Sequence, residues 1–200
     1  MSIFAKPDFN NEQEYKIVFL HGLEGSVNGR KAKYLKEKWG AFVPPLRTSK
    51  LVELKSTAEN KSWENLDRKK KDDALEPAFR DAVDAINYIK PDMVIGSSMG
   101  GAILMKLVTE GYVNENTPCI FLAPAIKQLL GAKKLPNLNC SSWILAENDE
   151  IVPNGFNIRA CVESGGNLSI SPEDGHRLSS IVENGLLDSA IISCMEISNL

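Results

Sequence analysis

One serine of the chain lies in a glycine-flanked motif that could perform nucleophilic chemistry. The segment from Gly96 to Gly100 reads G-S-S-M-G, and it joins a short apolar run to an apolar helical pattern. A strand that turns at once into a helix holds its central residue in a strained backbone conformation, and small neighbours let the chain pass. The Ser98 hydroxyl then lies at a helix start, where backbone N–H groups favour negative charge. We expect Ser98 to act as a nucleophile; the alternative is a glycine-rich turn without chemistry.

A serine hydroxyl needs a base that takes its proton, and the chain contains two histidines, His21 and His176. His176 comes just beyond the last predicted strand and after Ser98, as the order serine, acid, histidine requires. We therefore predict His176 as the base, against the alternative of an exposed loop histidine. His21 is expected to brace the loop after the first strand.

The acid that orients this histidine is expected in the segment Glu147, Asn148, Asp149, Glu150, which follows a predicted strand. Asp149 lies three residues past the strand end, where a carboxylate can point at an imidazole. Glu147 would point along the sheet, and Glu150 would begin the next turn. We predict Asp149, whose carboxylate would orient His176 and stabilise the imidazolium without taking the proton. The alternative is a solvated acidic turn.

A tetrahedral intermediate formed on Ser98 would need two backbone N–H donors for its oxygen. The residue after the nucleophile, Met99, supplies one donor in this motif. Leu23, in the loop after the first predicted strand, is the candidate for the second, and Gly22 is expected to line the substrate site. We predict no metal site, because only two histidines are available and the four cysteines are widely spaced.

Apolar runs and helical patterns alternate along the chain, which predicts a mostly parallel sheet with helices on both faces. The predicted strands cover residues 15–20, 41–43, 93–95, 119–123, 143–146 and 168–170. The predicted helices cover residues 31–39, 74–89, a stretch after Gly101, 126–130, 154–163 and 185–197. The result is an α/β three-layer α/β/α sandwich. Ligands bind at the carboxyl ends of such strands, where all four candidate segments lie.

Residues 47–73 are polar and charged, and Trp63 is their notable large apolar residue. We interpret this segment as an excursion over the surface, either a solvated loop with a weak helix or a flap whose Trp63 lines the substrate site. The basic run from Arg68 to Lys71 could in principle bind RNA or a membrane. Because Asp72 and Asp73 follow it, a solvated face is the expected role.

The composition is that of a globular protein with one domain over residues 1–200: 43% of the residues are hydrophobic, and the net charge is −3. This charge gives no broad attraction to nucleic acid or to an anionic membrane. Residues 1–10 lack a continuous apolar stretch, so no signal peptide or membrane anchor is expected. The four cysteines are expected to be reduced thiols in a cytoplasmic protein, with a disulfide in an exported protein as the alternative.

Four segments resemble, in the expected order, the signature segments of the α/β-hydrolase superfamily: IVFLHGLEGS, VIGSSMGG, the strand with AENDEIVP, and DGHRL. The pattern is most similar to small carboxylesterase-like serine hydrolases without a lid domain. The resemblance implies a triad of Ser98, Asp149 and His176 and no cofactor. Because about fourteen residues precede the first predicted strand, the two opening strands of larger members are expected to be absent. About six strands would remain.

These features predict a serine hydrolase that cleaves a small-molecule carboxylic ester or thioester through an acyl-enzyme on Ser98. A catalytically silent protein of the same fold, acting as a binding or interaction module, is the alternative. No nucleic-acid or membrane partner is expected, and the sequence leaves the oligomeric state open.

Overall fold

Five short segments form the strands of one parallel sheet. A computed structural model describes residues 15–58, 63–131 and 135–198 of the chain. The order of the strands in the sheet is their order in the chain: β1 (Ile17–Leu20), β2 (Met93–Ser97), β3 (Cys119–Leu122), β4 (Ser141–Ala146) and β5 (Asn167–Ser171). β1, β3 and β4 are buried throughout, as expected for strands covered on both faces. β5 forms one edge, and its Leu168 and Ile170 side chains are exposed.

Helices cover both faces of this sheet. The helices of the described residues are α1 (Arg30–Trp39), α2 (Ser49–Thr57), α3 (Arg68–Ile89), α4 (Met99–Thr109), α5 (Ile126–Leu130), α6 (Asn154–Glu163) and α7 (Leu186–Ser198). α1 and α7 pack on one face, and α2 to α6 contribute to the core on the other. The predicted α/β/α sandwich is therefore confirmed.

The sheet has five strands among the described residues, where about six were predicted. The difference lies at residues 41–43, which were predicted as a short strand and form an isolated parallel bridge between Phe42 and Val18. The Phe42 amide donates to the Ile17 carbonyl at 2.8 Å, and the Phe19 amide donates to the Phe42 carbonyl at 2.9 Å. Two prolines, Pro44 and Pro45, follow directly, and they have no N–H groups with which to extend the pairing.

The described part of the polar excursion predicted over residues 47–73 is largely helical. It contains helix α2, a 3-10 turn at Trp63–Asn65 and the first turn of α3, which was predicted to begin at residue 74. The carboxylate of Asp67 caps α3, because it accepts from the Lys70 amide at 3.0 Å. The basic run predicted as a solvated face therefore starts a helix, and its Lys71 is buried with 8% exposure.

The apolar core also encloses the thiols. All four cysteines are free and buried: Cys119, Cys140, Cys161 and Cys194. Burial raises the pKa of the Cys161 thiol to about 11. None of the described helices combines the length and the apolar character that crossing a bilayer requires.

Candidate active site

Ser98 lies in a sharp turn between β2 and α4. Its backbone has φ 53° and ψ −113°, a conformation that L-residues rarely adopt and that surrounding structure must enforce. The Ser98 amide donates to the Leu122 carbonyl at 2.8 Å, and the Ser98 carbonyl accepts from the Ala102 and Ala125 amides at 3.1 and 3.0 Å. The strained turn is thus held by hydrogen bonds from three sides.

The glycines of the motif allow backbone segments to approach this turn closely. A Cβ atom at Gly100 would overlap the carbonyl group of Leu20, and one at Gly96 would lie 2.6 Å from the Gly100 carbonyl oxygen. At Gly101 it would lie 2.6 Å from the Cβ of Pro124. Since real Cβ atoms do not come so near, these positions require glycine for α4 to pack against β1, β2 and the segment after β3.

The structure brings Ser98, His176 and Asp149 together. His176 Nε2 lies 2.8 Å from Ser98 Oγ. Its Nδ1 lies 2.9 Å from Oδ2 and 3.0 Å from Oδ1 of Asp149. The side chain of Asp149 is 1% exposed and that of His176 is 10% exposed. A buried carboxylate on one side of the imidazole and a hydroxyl on the other is the geometry in which a histidine can take the hydroxyl proton.

A local turn positions Asp149. After β4 ends, Asp149 Oδ1 accepts from the backbone amides of Ile151 and Val152 at 3.0 and 2.7 Å. An aspartate that binds amides two and three residues ahead closes a tight turn. These bonds hold the carboxylate at the end of the strand, facing the loop that carries His176.

Two acidic residues weighed as alternatives to Asp149 bind the backbone of that same loop. Glu147 Oε2 accepts from the Glu173 amide at 2.9 Å, and Glu150 Oε2 accepts from the His176 amide at 3.0 Å. Its own amide and the His176 amide lower the pKa of Glu150. Neither carboxylate contacts the imidazole nitrogens, so both hold the loop in place.

Sequence reasoning missed Asp174, the anchor of the histidine loop. Its carboxylate is buried and accepts from the hydroxyls of Ser171 and Ser180 at 2.7 and 2.8 Å and from the Ser179 amide at 3.0 Å. Burial alone would raise the pKa of Asp174, but these hydrogen bonds outweigh it and lower the pKa. The sequence does contain a signal for this anchor: several serines lie close to an aspartate near the candidate histidine.

A lysine from α1 ties down the same loop. Lys31 Nζ donates to the carbonyl of Arg177 at 2.5 Å. Burial lowers the pKa of Lys31 to about 8, although the negative charge of Asp174 acts in the opposite direction.

The Leu23 amide lies in the loop after β1, and the Met99 amide belongs to the first residue of α4, directly after Ser98. In the part of the chain that the structure describes, neither amide donates to a backbone carbonyl. Gly22 lies against the serine, since a Cβ there would be 3.3 Å from Ser98 Cβ. The ring of His21 is bonded to its own loop, with Nδ1 2.8 Å from the Gly22 carbonyl oxygen. Burial lowers the pKa of His21, although this hydrogen bond acts in the opposite direction.

A cavity of about 360 Å³ opens over Ser98. Gly22 and Trp63, the two predicted substrate-binding residues, both lie in its wall. Apolar side chains form one part of the wall: Leu51, Trp63, Leu129 and Val152. Charged side chains form another part: Glu24, Arg30, Lys55 and Arg177. No group of three or more metal-ligating side chains occurs among the described residues.

Comparison with solved structures identifies the fold. A proposed hydrolase of the α/β superfamily from Xanthomonas campestris pv. campestris superposes with a TM-score of 0.61 at 18% identity, over 89% of this chain and 97% of that one. Est1E from Butyrivibrio proteoclasticus superposes with a TM-score of 0.64 at 16% identity, over 97% of this chain and 92% of that one. Mouse α/β hydrolase domain-containing protein 10 superposes with a TM-score of 0.63 at 13% identity, over 96% of this chain and 92% of that one.

No protein-family model and no curated protein sequence matches the chain. The structural likenesses nevertheless agree with the parallel sheet and its helices, and they show that the chain has the α/β-hydrolase fold. The resemblance seen in four short sequence segments is therefore confirmed for the fold.

Proposed function

We propose that this protein is a serine hydrolase that cleaves a small carboxylic ester or thioester through an acyl-enzyme on Ser98. The observation that carries the proposal is the position of His176, which lies within hydrogen-bonding distance of Ser98 Oγ and of the buried Asp149 carboxylate. Such a nucleophile, base and orienting acid are the parts that acyl transfer requires.

In the first step Ser98 Oγ attacks the carbonyl carbon, and its proton moves to His176 Nε2. Asp149 accepts a hydrogen bond from the Nδ1–H of His176 and stabilises the imidazolium without taking the proton. The oxygen of the tetrahedral intermediate gains negative charge, and the amides of Leu23 and Met99 donate to it. When the C–O or C–S bond breaks, His176 returns the proton to the leaving alcohol or thiol.

The second step releases the acid. His176 Nε2 takes a proton from a water molecule, whose oxygen attacks the acyl carbon. The same two amides hold the second oxyanion. Breaking the bond between the acyl carbon and Ser98 Oγ returns the proton to the serine and regenerates the enzyme.

The cavity supports a small-molecule substrate rather than a polymer. Its volume of about 360 Å³ is at the lower end of the range for small-molecule sites. Two of the four basic residues that could have suggested nucleic acid are engaged within the fold, since Arg68 pairs with Asp72 and Lys71 is buried. Four buried free thiols support a cytoplasmic location.

Labelling with a fluorophosphonate probe tests the proposal, because such probes react covalently with an activated serine. Intact mass should show one adduct on the wild type and on the control Ser97→Ala, and none on Ser98→Ala. Thermal unfolding should show that all three proteins are folded. A folded wild type without an adduct would contradict the proposal and favour a binding module that has kept the fold without catalysis.

A further inference from the structure

A buried polar side chain interrupts the apolar part of the cavity wall. Gln128 of α5 lines the cavity beside Leu129 and is only 9% exposed. Its Oε1 atom is buried and has no hydrogen-bond partner among the described residues. A buried amide oxygen without a partner destabilises the fold, and such groups in native proteins require a specific explanation.

Two other buried amides show why Gln128 is different. Asn154 and Asn157 also have an unpartnered oxygen. Each is nevertheless fixed through its nitrogen, which donates to the Ala146 carbonyl at 2.6 Å or to the Pro124 carbonyl at 2.9 Å. Neither lines the cavity. Their amides therefore have a structural role, whereas the side chain of Gln128 makes no hydrogen bond to a described residue.

The backbone around Gln128 is fixed even though its amide is not. Lys71 Nζ donates to the Gln128 carbonyl at 3.1 Å and to the Trp63 carbonyl at 3.2 Å. This ammonium ties Gln128 to Trp63 in the apolar part of the cavity wall. Three of the charged side chains in the wall pair with one another instead, since Glu24 pairs with Lys55 and Arg177. Because apolar surface binds hydrocarbon, the apolar part of the wall is suited to the carbon chain of an acyl group.

We infer that Gln128 is a specificity-determining residue that binds a hydrogen-bond donor, a hydroxyl or an amide N–H, on the acyl group of the substrate. This inference rests on the proposed function. The apolar wall binds the carbon chain of the acyl group, and the Gln128 amide selects chains that carry a donor. The oxygen has no accessible surface in the structure, and a half-turn about the last side-chain bond, which exchanges the amide oxygen and nitrogen, would place it at the cavity. A site built around a polar group discriminates strongly against ligands that leave the group unpartnered.

Matched esters of p-nitrophenol test this specificity. In each pair a terminal hydroxyl of one acyl chain is replaced by methyl, as in 6-hydroxyhexanoate and heptanoate, and shorter pairs scan the depth of the cavity. A second series carries an acetylated terminal amine and distinguishes an N–H donor from a hydroxyl. In at least one pair, kcat/KM of the wild type should favour the donor-bearing ester about tenfold or more.

Gln128→Met preserves the volume of the side chain and removes the amide. The ratio of the two kcat/KM values should fall to about one, because the donor-bearing ester loses its partner and its KM rises. The kcat/KM of the methyl ester should rise, because its methyl group no longer faces an unpartnered amide. Leu129→Met, a volume-conserving change in the same wall, should keep the preference. If Gln128→Met kept the wild-type preference, or if the wild type favoured the methyl ester in every pair, the inference would be wrong.

Thermal unfolding gives a second, independent readout. A structural Gln128 would make Gln128→Met less stable, whereas replacing an unpartnered amide by an apolar side chain should leave the unfolding temperature unchanged or higher. Fluorophosphonate labelling separates the two proposals. Intact labelling of Ser98 without an acyl preference rejects the role of Gln128 alone, and an unlabelled folded wild type rejects both.

Discussion

The two halves of the candidate site are held in place by different forces. The half that carries Ser98 is held by close packing: glycines let α4 lie directly against β1 and β2, and a Cβ atom at Gly100 would overlap the Leu20 carbonyl. The half that carries His176 is held by carboxylates, because Glu147, Glu150 and Asp174 all accept hydrogen bonds from its backbone or from the residues around it.

This difference has consequences for what each half tolerates. Packing depends on volume and is indifferent to protonation, so the serine half should resist changes of pH and fail when a single methyl group is added. Hydrogen bonds to carboxylates depend on ionisation, so the histidine half should weaken in acid. The proposed reaction requires both halves, because His176 must reach Ser98 across the boundary between them.

The largest effect is expected where the two halves meet in the reaction. Asp149→Asn should lower kcat about ten-thousandfold, because an amide holds the imidazole in the wrong tautomer and leaves the imidazolium without its carboxylate. Hydrolysis of an activated ester measures it. The control Glu147→Gln, which touches only the Glu173 amide, should stay within about threefold of the wild type. If Glu147→Gln lost activity steeply while Asp149→Asn stayed active, Glu147 and not Asp149 would be the acid that orients His176.

A methyl group at the serine half gives the next largest effect. Gly100→Ala should destabilise the protein by about 3 kcal/mol or more, because the added Cβ cannot be accommodated without moving α4 away from β1. Gly155→Ala is the matched control, since a Cβ there meets no atom within 4 Å. It should be neutral or stabilising by up to about 1 kcal/mol. Chemical denaturation measures both, and equal stability of the two variants would contradict the steric account.

The serine half could be predicted from the sequence because its determinants are local. Gly96, Ser98 and Gly100 lie within five residues, and the order of Ser98, Asp149 and His176 along the chain restricts the choice of partners. The apolar runs likewise predicted the buried strands β1 to β4, and the pair Leu168 and Ile170 marked the exposed edge strand β5. Only the pairing at Phe42 was overestimated, and that depends on the prolines after it.

The histidine half was less predictable because its determinants are distant in sequence. Glu150 binds the His176 amide because the loop after β4 meets the loop after β5. The spacing of apolar residues along the chain does not predict this contact. The burial of Lys71 is similar: its charge suggested a solvated face, yet the carbonyls of Trp63 and Gln128 accept from it. Polar residues that bind backbone groups of remote segments leave little trace in a pattern.

A moderate effect is expected when the anchor of the histidine loop loses its charge. Asp174→Asn should destabilise the protein by about 2 kcal/mol at neutral pH, because an amide nitrogen cannot accept from the hydroxyls of Ser171 and Ser180. The folded state lowers the pKa of Asp174, so its contribution is present above the unfolded value of about 3.9 and is lost as the pH falls through the lower folded value. The difference in stability between wild type and variant should therefore shrink in acid. A difference that stayed constant from pH 6 to pH 2 would show that ionisation is irrelevant here.

The smallest effect is expected at the exposed carboxylate of the same half. Glu150→Gln should lower kcat about threefold and leave KM unchanged, since the His176 amide keeps an acceptor but loses a charged one. The folded state lowers the pKa of Glu150, so the advantage of the wild type should be complete above the ordinary carboxyl pKa of about 4.3 and disappear below the folded value. The ratio of wild-type to variant kcat, followed down in pH, measures this advantage. Glu163→Gln, an exposed change on α6, should give a ratio of about one throughout. If Glu150→Gln behaved like this control, Asp174 and Glu147 would hold the loop without help from Glu150. Fewer carboxylates would then hold the histidine half than the structure indicates.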